Sequence, residues 1–495
     1  MLNFRRLFSN AASSTIQVIV SALIFFVLYR FLINEVGVKQ LGVWSVVMAI
    51  SFVVRLGELG LSGSVVKFVA RARILKDDSM AVEIVQTSLI SIALVMSLCC
   101  LLAYPIFKLI LPIVVPVEFL KLALSISVWV VFSVWLSSFG GIFQAGLDGF
   151  QRVDIRNLIV ILSNLIFLAS AFWLTPIWGL LGLAIGQVIQ GFLVIVMGWI
   201  ALRLQIKSLP LIPSKWRKAR FKEILGYSMN FQINNFALIL FDPVVKLLMS
   251  RYGGLTSVAY YEIASQFVIK MSTLLTAPFQ TLVPAIAELC EVAPSKIPGF
   301  YLSSYQLMLL MALPFYTGMY ISLPLVSHLW IGHIEHEFIG LATILIIGWG
   351  ANTLNTPAYF INLGTGDLKL NSVTHLIISV FNIIFGIIFG IIFGGFGVAT
   401  AAMMGLVFGS IFLIIKTKKK YEVNNNFFFT KENLPLIVMI LITLLFSIFI
   451  NIFMPFNKKF IFMNYALIIF YIFITIAILF IHPYKNILLN KLFKK

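Results

Sequence analysis

Seven charged side chains lie inside long apolar stretches of this chain: Arg30, Arg55, Glu58, Asp242, Lys246, Glu262 and Lys270. A charge at the centre of a membrane-spanning helix costs about 2.5–3.5 kcal/mol on insertion scales, so it is normally paired or faces a wet cavity. Four of the seven are bases. Arg30, Arg55, Lys246 and Lys270 have the chemistry to hold an anion, and guanidinium and ammonium groups suit phosphate oxygens in particular. The acids Glu58, Asp242 and Glu262 have two roles open to them. They can take up a coupling proton or sodium ion, or they can pair structurally, Asp242 with Lys246 and Glu58 with Arg55. Helical spacing groups these residues. Glu262, Gln266 and Lys270 recur every four residues, and Asn230, Asn234, Asp242 and Lys246 share a second stripe interrupted by Leu238. Asn230, Asn234 and Gln266 are therefore read as polar cavity lining. Arg30 lies near a span end, where a long side chain can also snorkel.

No pattern for catalysis accompanies these charges. There is no Walker A sequence, and Gly364-Thr365-Gly366 follows no strand, so it reads as a turn. His333-Ile334-Glu335-His336-Glu337 reads as a polar loop without enough ligands for zinc. Cys99, Cys100 and Cys290 sit within or beside apolar stretches and read as small apolar residues. The chain is expected to be no enzyme, with no catalytic residue, no metal and no cofactor beyond a coupling H+ or Na+.

The elements that must carry these charges are membrane helices. Of the 495 residues, 61% are hydrophobic and 11% charged, with a mean hydropathy of +1.04; soluble chains carry about 25% charged residues. Apolar runs reach the roughly 20 residues needed to span a bilayer, and helices satisfy their backbone groups internally. About fourteen spans are expected, near 14–33, 41–66, 82–107, 119–143, 157–174, 178–202, 226–249, 257–287, 301–325, 338–362, 371–393, 395–415, 435–454 and 461–481. Gly57, Gly60 and Gly63 punctuate the second span, Asp242-Pro243 the seventh, and Pro278 and Pro284 the eighth, so breaks are expected there. With this count, about 26 of the 36 basic residues fall on one side, which the positive-inside rule makes cytoplasmic, with both termini. The net charge of +18 thus points to membrane topology and not to nucleic acid.

The chain repeats itself. Gln144-Ala145-Gly146-Leu147-Asp148-Gly149 and the run to Asn164 match Asn362-Leu363-Gly364-Thr365-Gly366-Asp367 and the run to Asn382 at an offset of 218 residues, placing Gly146 on Gly364. Arg30 and Arg55 lie 25 residues apart and Lys246 and Lys270 lie 24 apart, so the bases are read as matching positions of two repeats. Duplicated halves are a mark of secondary transporters, which place substrate at the repeat interface. The expected fold is all-α: two six-helix lobes related by a pseudo-two-fold axis along the membrane normal, plus a C-terminal helix pair. The boundaries are 1–202 for the N-lobe, 203–225 for a basic cytoplasmic linker, 226–416 for the C-lobe, 417–434 for a cytoplasmic loop, and 435–495 for the last pair and a basic tail. The linker reads as a solvated connector that touches anionic headgroups. The last pair reads as a lipid-facing accessory hairpin.

Four stretches resemble a known family: Leu56-Gly57-Glu58-Leu59-Gly60-Leu61, Gln144 to Gln151, Val258-Ala259-Tyr260-Tyr261-Glu262-Ile263-Ala264, and Asn362 to Asp367. Over spans one to twelve the chain resembles the polysaccharide branch of the multidrug/oligosaccharidyl-lipid/polysaccharide (MOP) exporter superfamily, nearest to the Wzx-type O-antigen flippases. The family usually has Gly where this chain has Ala259. The resemblance implies a V-shaped pair of lobes. It also implies transfer of a polyprenyl-pyrophosphate-linked oligosaccharide, such as an O-antigen unit for lipopolysaccharide on undecaprenyl pyrophosphate, from the cytoplasmic to the outer leaflet of the bacterial inner membrane. Alternating access, antiport with an ion gradient, and contact with membrane lipids and other polysaccharide-assembly membrane proteins follow from it. Two alternatives stand beside this reading: a multidrug or lipid II-type exporter on the same fold, and a membrane enzyme of glycan assembly, against which the short loops argue.

Overall fold

The computed structural model describes residues 4–58, 60–423, 434–453 and 458–481. These residues form helices and turns. In chain order the helices are α1 (Phe4–Glu35), α2 (Val38–Val54), α3 (Leu61–Leu75), α4 (Asp78–Val114), α5 (Val117–Gly149), α6 (Val153–Trp178), α7 (Leu180–Gln205), α8 (Lys218–Thr276), α9 (Leu282–Val292), α10 (Ile297–Ile331), α11 (His336–Leu354), α12 (Thr356–Gly364), α13 (Lys369–Lys420), α14 (Leu434–Phe453) and α15 (Lys458–Ile481). Among the described residues nine helices are long and apolar enough to cross a membrane. One of these, α13, breaks at Gly394, and α8 breaks at Gly254. With those breaks and the shorter apolar helices at Leu434–Ile450 and Phe462–Ala477, each of the fourteen stretches read from sequence falls on helical elements over its described residues.

The expected breaks divide by chemistry. The second span does break: Arg55–Glu58 is a 3₁₀ turn, Gly60 is left-handed (φ 67°, ψ 17°), and α3 starts afresh at Leu61. The eighth breaks at a 3₁₀ turn, Ala277–Thr281, which contains Pro278. The seventh does not break at Asp242-Pro243. Helix α8 runs through Pro243, which removes one N–H but need not stop a helix where neighbours satisfy the freed groups. Its break comes eleven residues later, at Gly254 (φ 81°, ψ 175°), a backbone conformation that essentially demands glycine.

The chain divides into two compact units, 1–262 with 382–398, and 263–381 with 399–495. In the first, Leu61, Val65, Val69, Ile84, Ile92, Ile142, Leu147 and Leu202 bury α3, α4, α5 and α7 against one another. In the second, Tyr301 and Tyr305 of α10 pack with Ile286, Ala358, Ile361 and Leu413, and α14 and α15 lie on α10 through Leu310, Ile321, Leu436, Phe460 and Leu467. Tyr471 Oη of α15 donates to the Pro314 carbonyl of α10 at 2.8 Å. Outward residues such as Leu101, Leu109, Ile391 and Phe473 are apolar and exposed, as a lipid-facing surface requires.

Backbone geometry supplies the register of the repeat. Gly37 (φ 81°, ψ 165°) and Gly254 (φ 81°, ψ 175°) share one rare conformation 217 residues apart. Gly179 (φ 58°, ψ −140°) and Gly394 (φ 63°, ψ −144°) share another at 215. A Cβ on Gly182 would strike the Leu174 carbonyl, and one on Gly397 the Phe389 carbonyl. A Cβ on Gly149 would lie 2.8 Å from Val69, and one on Gly364 2.7 Å from Ile286. The counterpart of Gly364 is therefore Gly149, not Gly146. The offset of 218 is three residues too long here. Residues three apart share a helix face, so apolar helices match themselves nearly as well when slipped by that amount. Across α2 the register of 217 sets Val53 opposite Lys270, and it sets Tyr29 opposite Lys246. The four bases do not occupy equivalent positions.

The linker, exposed along much of its length, is also fastened to α4. The main-chain N–H groups of Ser214 and Lys215 donate to Gln86 Oε1 on α4 at 2.9 and 3.0 Å, and Trp216 Nε1 donates to Ser91 Oγ at 3.1 Å. Arg217 and Arg220 reach Glu83 at 2.7 and 3.3 Å. Buried Gln86, Thr87 and Ser91 make a polar track on α4, and the strap supplies partners to each of them.

Candidate functional site

The site grows from the turn at Gly254. Lys246 and Glu262 lie eight residues before and after it, each about 12 Å along its arm of α8 at 1.5 Å per residue. The turn folds the arms together so that these side chains meet. Lys246 Nζ lies 2.6 Å from Glu262 Oε2 and 2.6 Å from Asp242 Oδ2, one turn away on its own arm. Tyr29, on α1, donates from Oη to Glu262 Oε1 at 2.8 Å. The Lys246 and Glu262 side chains are 9% and 6% exposed, whereas Asp242 is 41% exposed. An ammonium is thus held between one buried carboxylate and one that opens outward. The three side chains carry one negative charge in excess.

Close backbone packing holds the arms in place. Asn382, Gly386, Gly390 and Gly394 recur every four residues on α13 and form a small-residue stripe against the first arm. A Cβ would come within 2.9 Å of Leu248 at Gly386 and 2.5 Å of Tyr252 at Gly390. Asn382 Nδ2 donates to the Phe241 carbonyl at 3.3 Å, beside Asp242. Gly42 of α2 sits on the Leu255 carbonyl so closely that any side chain would collide. At the tip, Ser250 Oγ donates to the Val114 carbonyl, and Arg251 Nη1 to that of Ile113 at 3.3 Å. These are last-turn carbonyls of α4, which have no partner within their own helix.

Arg55 and Glu58 form a second polar cluster in the 3₁₀ turn after α2. They do not pair with each other. Arg55 Nη2 donates to Ser137 Oγ at 3.3 Å and its guanidinium lies 5.1 Å from the Phe52 ring centroid. Glu58 Oε1 accepts from Ser138 Oγ at 3.0 Å. The adjacent serines on α5 take one charge each, and Arg55 keeps a buried Nε with no hydrogen-bond partner among the described residues. Gly57 lets the turn press on α4, where a Cβ would fall 2.6 Å from Cys99 Sγ.

Of the remaining expected residues, Arg30 is exposed on α1, one residue and about 100° around the helix from Tyr29. Gln266 and Lys270 are half-buried on the second arm of α8, beyond Glu262. The side chains of Asn230 and Asn234 lie outside the described residues. His333 is exposed, 3.2 Å from Glu335. Among the described residues no group of three or more His, Cys, Asp or Glu is placed to hold a metal. Sequence reasoning missed Tyr29, Ser137 and Ser138. A lone tyrosine 233 residues from its partner leaves no local signal, whereas the paired serines inside an apolar span could have been flagged.

The fold is similar to those of solved MOP superfamily transporters. The chain is similar to a solved structure of the lipid II flippase MurJ in an inward closed conformation, with 16% identity over 97% of this chain and 99% of that one and a TM-score of 0.72. It is similar to an inward-facing multidrug resistance MATE family transporter of the MOP superfamily, with 15% identity over 82% and 98% and a TM-score of 0.67. A MOP superfamily transporter from Pyrococcus furiosus, described as having a binding pocket of reverse polarity, gives 14%, 83% and 95%, and 0.61. At these identities the likeness establishes the fold. Comparison with curated proteins gives no match. The chain belongs to the polysaccharide biosynthesis protein family, whose match covers residues 7–290.

Proposed function

We propose that this chain is a flippase for a polyprenyl-pyrophosphate-linked oligosaccharide, an O-antigen or similar surface-polysaccharide unit. It moves this lipid from the cytoplasmic to the outer leaflet of a bacterial inner membrane by alternating access, without catalysing a covalent step. The observation that carries this reading is membership of the polysaccharide biosynthesis family on a transporter fold. The site chemistry supports it. A pyrophosphate reaching Lys246 competes with Asp242 for the ammonium. A proton or sodium ion on the half-exposed Asp242 removes that competition, while Tyr29 keeps Glu262 in place. Anion binding and coupling-ion binding then favour one another, a coupling of the reciprocal kind. Arg55, with a buried donor to spare, and Lys270 are the further phosphate ligands in this reading. The distribution of basic residues among the loops supports cytoplasmic termini in this reading.

A lipid II-type substrate is the second reading. The likeness to the lipid II flippase MurJ over 97% of this chain favours it, and the same diphosphate chemistry serves both.

The test is surface display in a host lacking its own exporter. Arg55→Ala or Lys270→Ala should stop display, with the lipid-linked precursor accumulating inside and the protein inserting at normal levels. Lys270→Arg should retain part of the activity, since charge is kept while geometry changes. Full display by normally inserted alanine variants overturns recognition through the diphosphate.

A further inference from the structure

The strap before α8 lies at a defined depth. Residues 87–107 of α4 contain no charge, and their length of about 30 Å matches the hydrocarbon core. Gln86 and Thr87 therefore mark one edge of that core. The strap is fastened there: Ser214 and Lys215 N–H bind Gln86, and Arg217 N–H donates to Thr87 Oγ1 at 3.3 Å. Trp216 reaches Ser91, another four residues or about 6 Å inward. On the other flank the Pro210 carbonyl accepts from Trp199 Nε1 at 3.0 Å.

Between these two fastenings stand Leu211 and Ile212, 68% and 73% exposed. At no more than about 3.6 Å per residue, Ile212 lies within about 7 Å of Ser214, and so close to the edge of the core. Lysines flank the pair in sequence. Lys207, Lys215, Lys218 and Lys222 are exposed, whereas Arg217 and Arg220 are engaged by Glu83. The strap is thus a fastened loop that offers an apolar tip, flanked in sequence by exposed lysines, near headgroup depth.

We propose that residues 207–218 form a membrane-docking surface whose partner is anionic phospholipid on the strap's own side of the bilayer. Leu211 and Ile212 enter the boundary between headgroups and acyl chains, and Lys207, Lys215 and Lys218 meet lipid phosphates. Apolar insertion combined with basic side chains is how interfacial segments hold a charged leaflet. The strap runs directly into α8, so the docked lipid holds the start of the helix that carries Asp242 and Lys246.

The test uses the full chain with Cys99, Cys100 and Cys290 replaced by serine and an environment-sensitive fluorophore on Ile212→Cys, in nanodiscs. In phosphatidylglycerol the probe should emit at short wavelength and be quenched by brominated acyl chains. Quenching should fall in phosphatidylcholine, and also after Lys207→Gln, Lys215→Gln and Lys218→Gln are combined, each lysine contributing up to about fivefold in partitioning. A water-like, unquenched probe in phosphatidylglycerol overturns the proposal and leaves the face to another partner, such as a protein. Quenching that is equal in both lipids and in the lysine variant overturns the anionic partner. A probe on Leu211→Cys gives the same outcomes should Ile212→Cys fail to elute as a single folded species.

Discussion

Replacing Lys246 with methionine should destabilise this protein more than neutralising either of its acids. Glu262 is 6% exposed and would lose the ammonium that lies 2.6 Å from its Oε2, so a buried carboxylate is deprived of that counter-charge. Breaking a buried pair in this way costs about 3–5 kcal/mol. Glu262→Gln is milder, because Lys246 keeps Asp242 at 2.6 Å, and the loss is that of one charged hydrogen bond, about 1.5–3 kcal/mol. Asp242 is 41% exposed, so Asp242→Asn should cost no more than about 1 kcal/mol after solvent screening. The double variant Lys246→Met with Glu262→Gln removes both buried charges and should recover most of the loss. Thermal unfolding of the purified chain in detergent measures the series. The midpoints should fall in the order Asp242→Asn, Glu262→Gln, Lys246→Met, with the double variant above Lys246→Met. A Lys246→Met protein as stable as the parent, or a double variant no better than that single one, refutes the buried ion pair.

Two further outcomes are expected. Gly254→Ala and Gly394→Ala should each lower the unfolding midpoint, at about 1–3 kcal/mol for a side chain forced to φ 81° or 63°, while Gly226→Ala, with open space around it, should not; equal midpoints for all three would contradict the helix breaks. Reporter fusions at Lys495 and in the loop at Glu335 should show opposite sidedness, and an outer-side signal at Lys495 would rule out fourteen spans with cytoplasmic termini.

What the sequence determined is what depends on neighbours along the chain. Apolar length fixed the helices, because a buried backbone must satisfy itself. Glycine at 57 and 60 and proline at 278 announced two breaks, since these residues act on their own turn. The Asp242–Lys246 contact was legible because residues four apart share a helix face. The duplication was visible too, though not its register, which periodic apolar helices blur by nearly a turn. Tertiary structure decided the rest. Lys246 meets Glu262 because Gly254 reverses the chain midway between them, and Glu262 meets Tyr29 because α1 packs there. Arg55 and Glu58 part company because Ser137 and Ser138 offer each a nearer partner. Helix α8 passes Pro243 unbroken, and the basic linker is fastened to Gln86 and Ser91. Contacts of this kind depend on which backbones approach closely, as at Gly42, Gly386 and Gly390, and a stripe of small residues marks one approaching face without naming its partner.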